Sequence, residues 1–392
     1  MIRFAAAVST VADSPRAIAE VCDRACSQLG EPADLALVFV THHHADAFPT
    51  LAQEVGRASR AANVLGCTAE AVVAGRREIE SQPAIALWLA RLHGARVVPM
   101  HLEFEQTAEG GTIVGWPDKL SSNWPQGSTL LVLADPFSFP ADVLLARLGE
   151  DQPGVLIAGG MASGGWQPRQ NRLFLNGTEL HDGAVAVLVH GEFRVRSVVS
   201  QGCRPIGRHF VVTKAQQNVI LELSGKPALA QLQAVFDELS TEDQMLVRQG
   251  LHVGRVVNEY QDEFRRGDFL VRNCIGSDPD SGAIAIGDYV RTGQTVQFHV
   301  RDAATANEDL RELVSAARRE SPSEPRGALL FTCNGRGMRL FGLPDHDASV
   351  LCDLMGNIPL AGFFAQGEIG PIGGRSFVHG FTASVVLFEG DE

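Results

Sequence analysis

The chain has 392 residues, 45% hydrophobic and 20% charged, enough apolar material for a large core shared between two domains, which excludes disorder as its dominant state. Its 40 glycines and modest charge content favour strands and tight loops over a coiled coil or a helical array. With 33 basic against 46 acidic residues, the formal charge of −13 opposes nucleic acid and anionic membranes as partners. The 7 cysteines form no Cys-x-x-Cys pair, so neither a disulfide framework nor a zinc ribbon is indicated and a reducing cytoplasm fits best. The apolar stretch from Phe4 to Val8 is too short for a signal core and reads as a first strand. No apolar run reaches the roughly 18 residues that a membrane-spanning helix needs.

In chain order, Ser14 and Pro15 read as the N-cap and first position of a helix over 14–29, with Ile18, Val21, Cys22, Ala25 and Leu29 on one face. Leu35 to Val40 is continuously apolar, as a strand buried on both faces requires, and it ends in Thr41-His42-His43-His44. A helix over about 49–61 follows. Residues 34–90 then read as strand, helix, glycine-bearing strand and a further strand, and the same order returns at 128–190 and 327–388. In the second copy the closing segments, RLFLNG and AVAVLVH, read as a hairpin.

Alternating strands near 209–223, 251–257, 268–275, 283–290 and 295–300 lie between the second and third copies, with amphipathic helices near 228–239 and 303–317. The expected fold is α/β with mixed α+β character. Two closely packed domains, 1–202 and 203–392, carry mixed sheets built from repeated strand-helix-strand-hairpin units.

In such sheets ligands bind beyond the carboxyl ends of the strands. Those ends carry Thr41 to His44, Gly66-Cys67-Thr68-Ala69-Glu70, Cys333-Asn334-Gly335-Arg336-Gly337 and Gly367-Glu368. The expected ligand-binding residues are Cys67, Thr68, Glu70, Arg272, Asn334, Arg336 and Glu368, with Cys67, Asn334, Arg336 and Glu368 in one pocket between the halves. The Arg336 fork suits a carboxylate, so Arg336→Lys is expected to weaken binding without altering the melting temperature. The structural alternative pairs Arg336 with Glu368. Cys67 with one of His42 to His44, His42 foremost, as general base offers a thiol nucleophile, set against a plain core cysteine. If the histidines continue a strand, only His42 and His44 converge, and with no further ligand no metal site is assigned. Asp302 reads as the cap of the helix from Ala303, and Asp278 to Ser281 as a turn rather than a calcium loop.

With these motifs in view, the sequence resembles the FIST family of paired N-terminal and C-terminal FIST domains over nearly its whole length. LALVFVT, VLGCTAE and GRREIE carry the first part, and FLVRNCIGSDPDSGAIAIGD, QFHVRDA, LLFTCNGRG and GFFAQGEIGPIGG the second. Ala71 departs from the glycine that commonly follows this glutamate. The resemblance implies a sensory module for a small ligand, an amino acid or related anionic metabolite, of a kind usually coupled to signalling domains or to an F-box; the expected protein is cytoplasmic, acts through a separate signalling partner and needs no cofactor. Two other readings stay open: a thiol-dependent transferase or hydrolase using Cys67 or Cys333, and a protein-interaction adaptor. The lack of an evident catalytic constellation favours binding over catalysis.

Overall fold

The computed structural model describes residues 2–390 apart from 108–109, 119, 121–123, 262 and 322. It divides into two compact units, one of residues 1–199, 310–378 and 382–392, the other of residues 200–309 and 379–381.

The first unit is built from three copies of one motif. The first copy runs β1 (Ile2–Ser9), α1 (Ser14–Leu29), β2 (Leu35–Thr41), α2 (Phe48–Ser59), β3 (Val64–Ala69), β4 (Val72–Ala74), β5 (Arg77–Ile79) and β6 (Ile85–Leu92). The second runs β7 (Arg96–Thr107), β8 (Gly110–Val114), β9 (Thr129–Ala134), α3 (Ala141–Asp151), β10 (Leu156–Met161), β11 (Leu173–Leu175), β12 (Thr178–Leu180) and β13 (Ala184–His190). The third opens with β14 (Arg194–Gln201) and resumes after the second unit. That unit comprises β15 (Cys203–Gln216), β16 (Val219–Leu223), β17 (Lys226–Pro227), α4 (Ala228–Glu238), α5 (Thr241–Gln249), β18 (Leu251–Val256), β19 (Phe269–Asp278), β20 (Ala283–Ile286) and β21 (Thr295–Arg301). The third copy then continues through α6 (Ala303–Glu320), β22 (Pro325–Cys333), α7 (Met338–Phe341), α8 (His346–Met355), β23 (Leu360–Ala365), β24 (Glu368–Ile372), β25 (Arg375–His379) and β26 (Thr382–Glu389).

Each copy pairs its two central strands in parallel, β2 with β3, β9 with β10 and β22 with β23, and returns antiparallel along the first of them through β6, β13 or β26. The topology expected for 34–90, 128–190 and 327–388 is therefore shared. The short hairpins, however, do not stay at home. The β4-β5 hairpin of the first copy extends the sheet of the third, β11-β12 extends the sheet of the first, and β24-β25 extends that of the second. This cyclic exchange corrects the hairpin expected in the second copy, because β11 pairs with β12 and β3 while β13 lies along β9 and β7.

The exchange also explains the division of the chain. Residues 310–378 and 382–392, assigned from the sequence to a separate domain, fold with the N-terminal part because β23 takes β4 as its neighbour. In chain order the second unit is an insertion between the first and second strands of the third copy. Within it β15 pairs with both β21 and β16, so the strand order β15-β21-β18-β19-β20-β16 closes on itself. Phe210, Val253, Ile284 and Phe298 fill its core, with Val235 of α4 packed against them.

Apolar residues on one face of all three sheets of the first unit meet in a common core that includes Phe39, Cys67, Trp88, Leu133, Phe331 and Phe363. The opposite faces carry the helices: α1 and α2 on the first sheet, α3 on the second, α6 and α8 on the third. Continuous apolar strands follow from burial on both faces. One glycine recurs at the same register in every copy, with Gly66 opposite Val38, Gly159 opposite Val132 and Gly362 opposite Leu330. A Cβ there would lie 2.1, 1.9 and 1.8 Å, respectively, from the neighbouring strand's carbonyl oxygen. Helix α1 spans 14–29 as expected, but its cap is Asp13, which accepts a 3.0 Å bond from Arg16 N–H.

Candidate ligand-binding site

The carboxyl ends of the parallel strand pairs in the first unit are stitched together in a ring. Ser163 N–H donates to Thr68 O at 3.1 Å, Gln366 N–H to Met161 O at 3.1 Å and Phe364 N–H to Ala71 O at 2.9 Å, linking first copy to second, second to third and third to first. Ser163 Oγ strengthens the junction by accepting from Glu70 N–H at 2.9 Å while donating to Phe364 O.

Loops of all three copies rise from this ring around a cavity of about 360 Å3. Thr41, His42, His43, Ala69, Glu70 and Ala71 come from the first copy, joined by Glu80 and Ser81 beyond its exchanged hairpin. Gly164 and Trp166 come from the second, and Asn334, Met338, Arg339 and Phe364 from the third. Trp166 is 78% exposed at the rim.

The charges of the cavity are one guanidinium and two carboxylates. Arg339 pairs with Glu70 at 2.5 Å and donates to Asn334 O at 3.0 Å. Glu80 accepts Met338 N–H at 3.0 Å, and burial raises its pKa above the usual carboxylate value. His42 Nε2 lies 3.1 Å from Gln170 O, and burial lowers its pKa. The neutral ring then donates through Nε2 and turns the Nδ1 lone pair inward, where it is enclosed without a hydrogen-bond partner. The Nδ1 atom lies 2.6 Å from where a Cβ on Gly164 would stand, so only glycine leaves that edge uncovered.

The histidine run departs from the sequence expectation. It forms a 3-10 turn over His42–Ala47 rather than extending the strand, which sends His42 and His43 to the cavity and buries His44 against Ser14 at 3.0 Å. Of the expected ligand-binding residues, Glu70 and Asn334 line the cavity. Cys67 is fully enclosed in the common core, and burial pushes its thiol well above its ordinary range. A thiol so placed is neither ionised nor reachable. In the native protein Cys67 should therefore resist iodoacetamide at neutral pH and become labelled only on unfolding, which peptide mass spectrometry would read directly. Thr68 is also buried, its hydroxyl accepting Arg172 N–H at 3.0 Å.

Arg272 belongs to the second unit, where it pairs with Asp288 at 3.2 Å. Arg336 and Glu368 do not reach the cavity. Both are wholly enclosed, and the partner of Arg336 is Asp347, held through two bonds of 2.7 and 2.8 Å, rather than Glu368. Glu368 instead accepts the backbone and hydroxyl of Thr382 at 2.9 and 2.8 Å, and burial pushes it up to about 8. Cys333 is partly exposed, with Gly335 N–H 3.4 Å from its sulfur. The other local expectations stand: Asp302 accepts Ala304 N–H at 3.0 Å, and Asp278 accepts the Ser281 hydroxyl at 2.6 Å in a turn.

Arg339, Glu80 and Trp166 were missed by reading the sequence. For Arg339 a signal existed, since it follows Arg336 by three residues in the same glycine-bounded loop. Trp166 carried none. As to metals, His101, Glu103 and Asp182 bring ligand atoms within 4.8 Å of one another on β7 and before β13, away from this cavity, and His101 Nε2 is already 3.1 Å from Asp182 O.

Comparison with known proteins matches residues 34–226 to the FIST N domain and 228–371 to the FIST C domain. Over 99% of its length the chain is 46% identical to an uncharacterized protein of Mycobacterium tuberculosis, covering all of that protein. It is 42% identical to an uncharacterized protein of Mycobacterium bovis, with both chains covered in full. An F-box/LRR-repeat protein of Arabidopsis thaliana is 27% identical over 31% of this chain and 22% of its own length.

Proposed function

We infer the function from one premise: the chain belongs to the FIST family, whose domains serve in sensing and signal transduction. The cavity at the junction of the three copies is, on this reading, the sensor's ligand site, and its ligand is a small zwitterion of the amino-acid class. The supporting observation is that Arg339, Glu70 and Glu80 face one enclosure whose other walls include Trp166, Met338 and Phe364. A ligand carboxylate would replace Glu70 on the Arg339 fork, and its ammonium group would then meet Glu70 and Glu80. Output passes to a separate protein. The likeness to an F-box/LRR-repeat protein supports coupling of such a domain to partner recruitment. A reducing, cytoplasmic setting agrees with seven cysteines that form no disulfide.

Native mass spectrometry of freshly purified protein would identify a retained ligand, and calorimetry with that compound would test the site. Arg339→Ala should weaken binding by about ten- to a hundredfold, the loss of a charged hydrogen bond. Because Arg339 is an exposed side chain, its melting temperature should stay near that of the wild type. An unchanged dissociation constant in a folded variant would remove the cavity as the site.

A further inference from the structure

We propose that the cavity wall formed by residues 334–341 is gated by one proton held in the buried Glu78–Asp347–Arg336 cluster beneath it. The proposal rests on the reading of the cavity as a ligand site and assigns that site a regulation.

The loop after β22 has an outer and an inner side. Asn334, Met338 and Arg339 line the cavity, whereas Arg336 turns inward and is locked on Asp347 of α8, with its guanidinium 5.2 Å from the Phe341 ring centre. Strand β5, the hairpin strand given by the first copy, touches both sides. Its Glu78 accepts Ala348 N–H at 2.9 Å inside the cluster, and two residues on, Glu80 accepts Met338 N–H in the cavity. The same strand end is tied to α8 again where Glu78 N–H donates to Asp345 at 2.6 Å. Any change in charge at Glu78 is thus felt by the segment that forms the wall.

The charges cannot all be satisfied. Facing Arg336 are Asp347, Glu78, Glu368 and the Cys333 sulfur, and facing Glu78 are Asp347, Arg336 and Glu80. One guanidinium cannot neutralise three enclosed carboxylates. Burial works against the Asp347 charge, but the Arg336 charge, the two Arg336 hydrogen bonds and His346 at 2.9 Å together outweigh it and keep the group ionised, with the Thr332 hydroxyl donating at 2.8 Å. Glu78 is driven by burial, and next by Asp347, up to about 8, and therefore keeps its proton at neutral pH. Two further atoms carry the gating argument. Arg336 Nη1 and Glu78 Oε2 are both enclosed without a hydrogen-bond partner. Once ionised, Glu78 places a second negative charge beside Asp347 and gives Arg336 a competing acceptor, so the clamp on Asp347 ceases to be the single favoured arrangement. The loop pinned by that clamp loosens with it.

Hydrogen exchange on the intact, ligand-free chain tests this from about pH 6 to about pH 10, with rates corrected for the intrinsic effect of pH. The amides to follow are Arg336, Leu340, Phe341 and Gly342, which donate within the segment to Cys333, Gly337 and Met338. Wild type should lose about tenfold in protection at these amides as the pH passes the Glu78 transition, while β1 and β2 stay unchanged. Glu78→Gln, permanently neutral, should abolish the step, and Glu368→Gln, anchored separately by Thr382, should retain it. Absence of the step in wild type, or its survival in Glu78→Gln, overturns the gate. Should Glu78→Gln fail to fold, Glu80→Gln decides: losing one neighbouring negative charge must move the step to lower pH, and an unmoved step overturns the proposal. No ligand takes part, so a missing step leaves the cavity reading to its calorimetric test, and lost binding with an intact step faults only that reading.

Discussion

Arg336→Ala should destabilise the first unit by about 3–5 kcal/mol, the cost of removing one partner from a fully buried ion pair. Asp347 would remain enclosed with its charge uncompensated, or would have to take up a proton that the wild type never binds near neutral pH. Arg336→Lys should recover only part of the loss, since an ammonium cannot reproduce the two bonds of 2.7 and 2.8 Å from Nε and Nη2. Urea unfolding at neutral pH measures both variants, and a change below about 1 kcal/mol for the alanine variant would contradict the buried pair. Reading Arg336 as a ligand contact leads to the opposite expectation, an unchanged melting temperature. The pH dependence follows from the carboxyl groups. The Asp347 pKa is depressed, so its contribution is present above the ordinary carboxylate value and lost as pH falls below it. Glu78 and Glu368 are raised from 4.5 to about 8, so theirs is full at acid pH and lost as pH rises through that window. The Arg336→Ala deficit should accordingly shrink toward acid pH, where Asp347 is protonated in any case.

Gly66→Ala, Gly159→Ala and Gly362→Ala should each cost about 3 kcal/mol, the upper end of overpacking penalties. The obstacle in all three is backbone: a carbonyl oxygen of the parallel neighbour at 2.1, 1.9 or 1.8 Å from the added carbon. A side chain could turn aside, but a carbonyl in a hydrogen-bonded ladder can move only if the strands separate. Gly149→Ala is the matched control, because its added methyl meets nothing within 4 Å and it lies in α3, where alanine is the better helix former. Thermal unfolding of the four variants checks the argument. Native-like melting of the three strand variants would mean that the parallel pairs can part at little cost.

Those glycines also indicate what could be read from the sequence. The three copies were legible because each repeats a doubly buried strand, an amphipathic helix and a second strand marked by a glycine. Which sheet each hairpin joins was not. The edges of β3, β10 and β23 present the same backbone groups, and nothing in VVA, LFL or EIGPI says which of them to choose. Register across the copies does single out Glu368, which occupies the place held by Val72 and Leu173 elsewhere, a carboxylate at an otherwise apolar core position. The partner of Arg336 was misjudged for a similar reason. Both Asp347 and Glu368 lie at separations a fold can close, and only the inward course of α8 decides for Asp347. Cys67 near a strand end could be read as a pocket thiol or a core cysteine, and its side chain lies in the common core. Glu80 and Trp166 acquire meaning only when loops of different copies meet.

The cyclic exchange of hairpins bears on how the protein is made. As the ribosome releases the chain, β4-β5 emerges long before β23, its destined neighbour, and the whole second unit is synthesised in the interval. Until the final strands appear, that hairpin has no sheet to join and the third sheet does not exist. The apolar strand edge of that hairpin thus stays unpaired until β23 has been made, and the ring of three sheets cannot close before then.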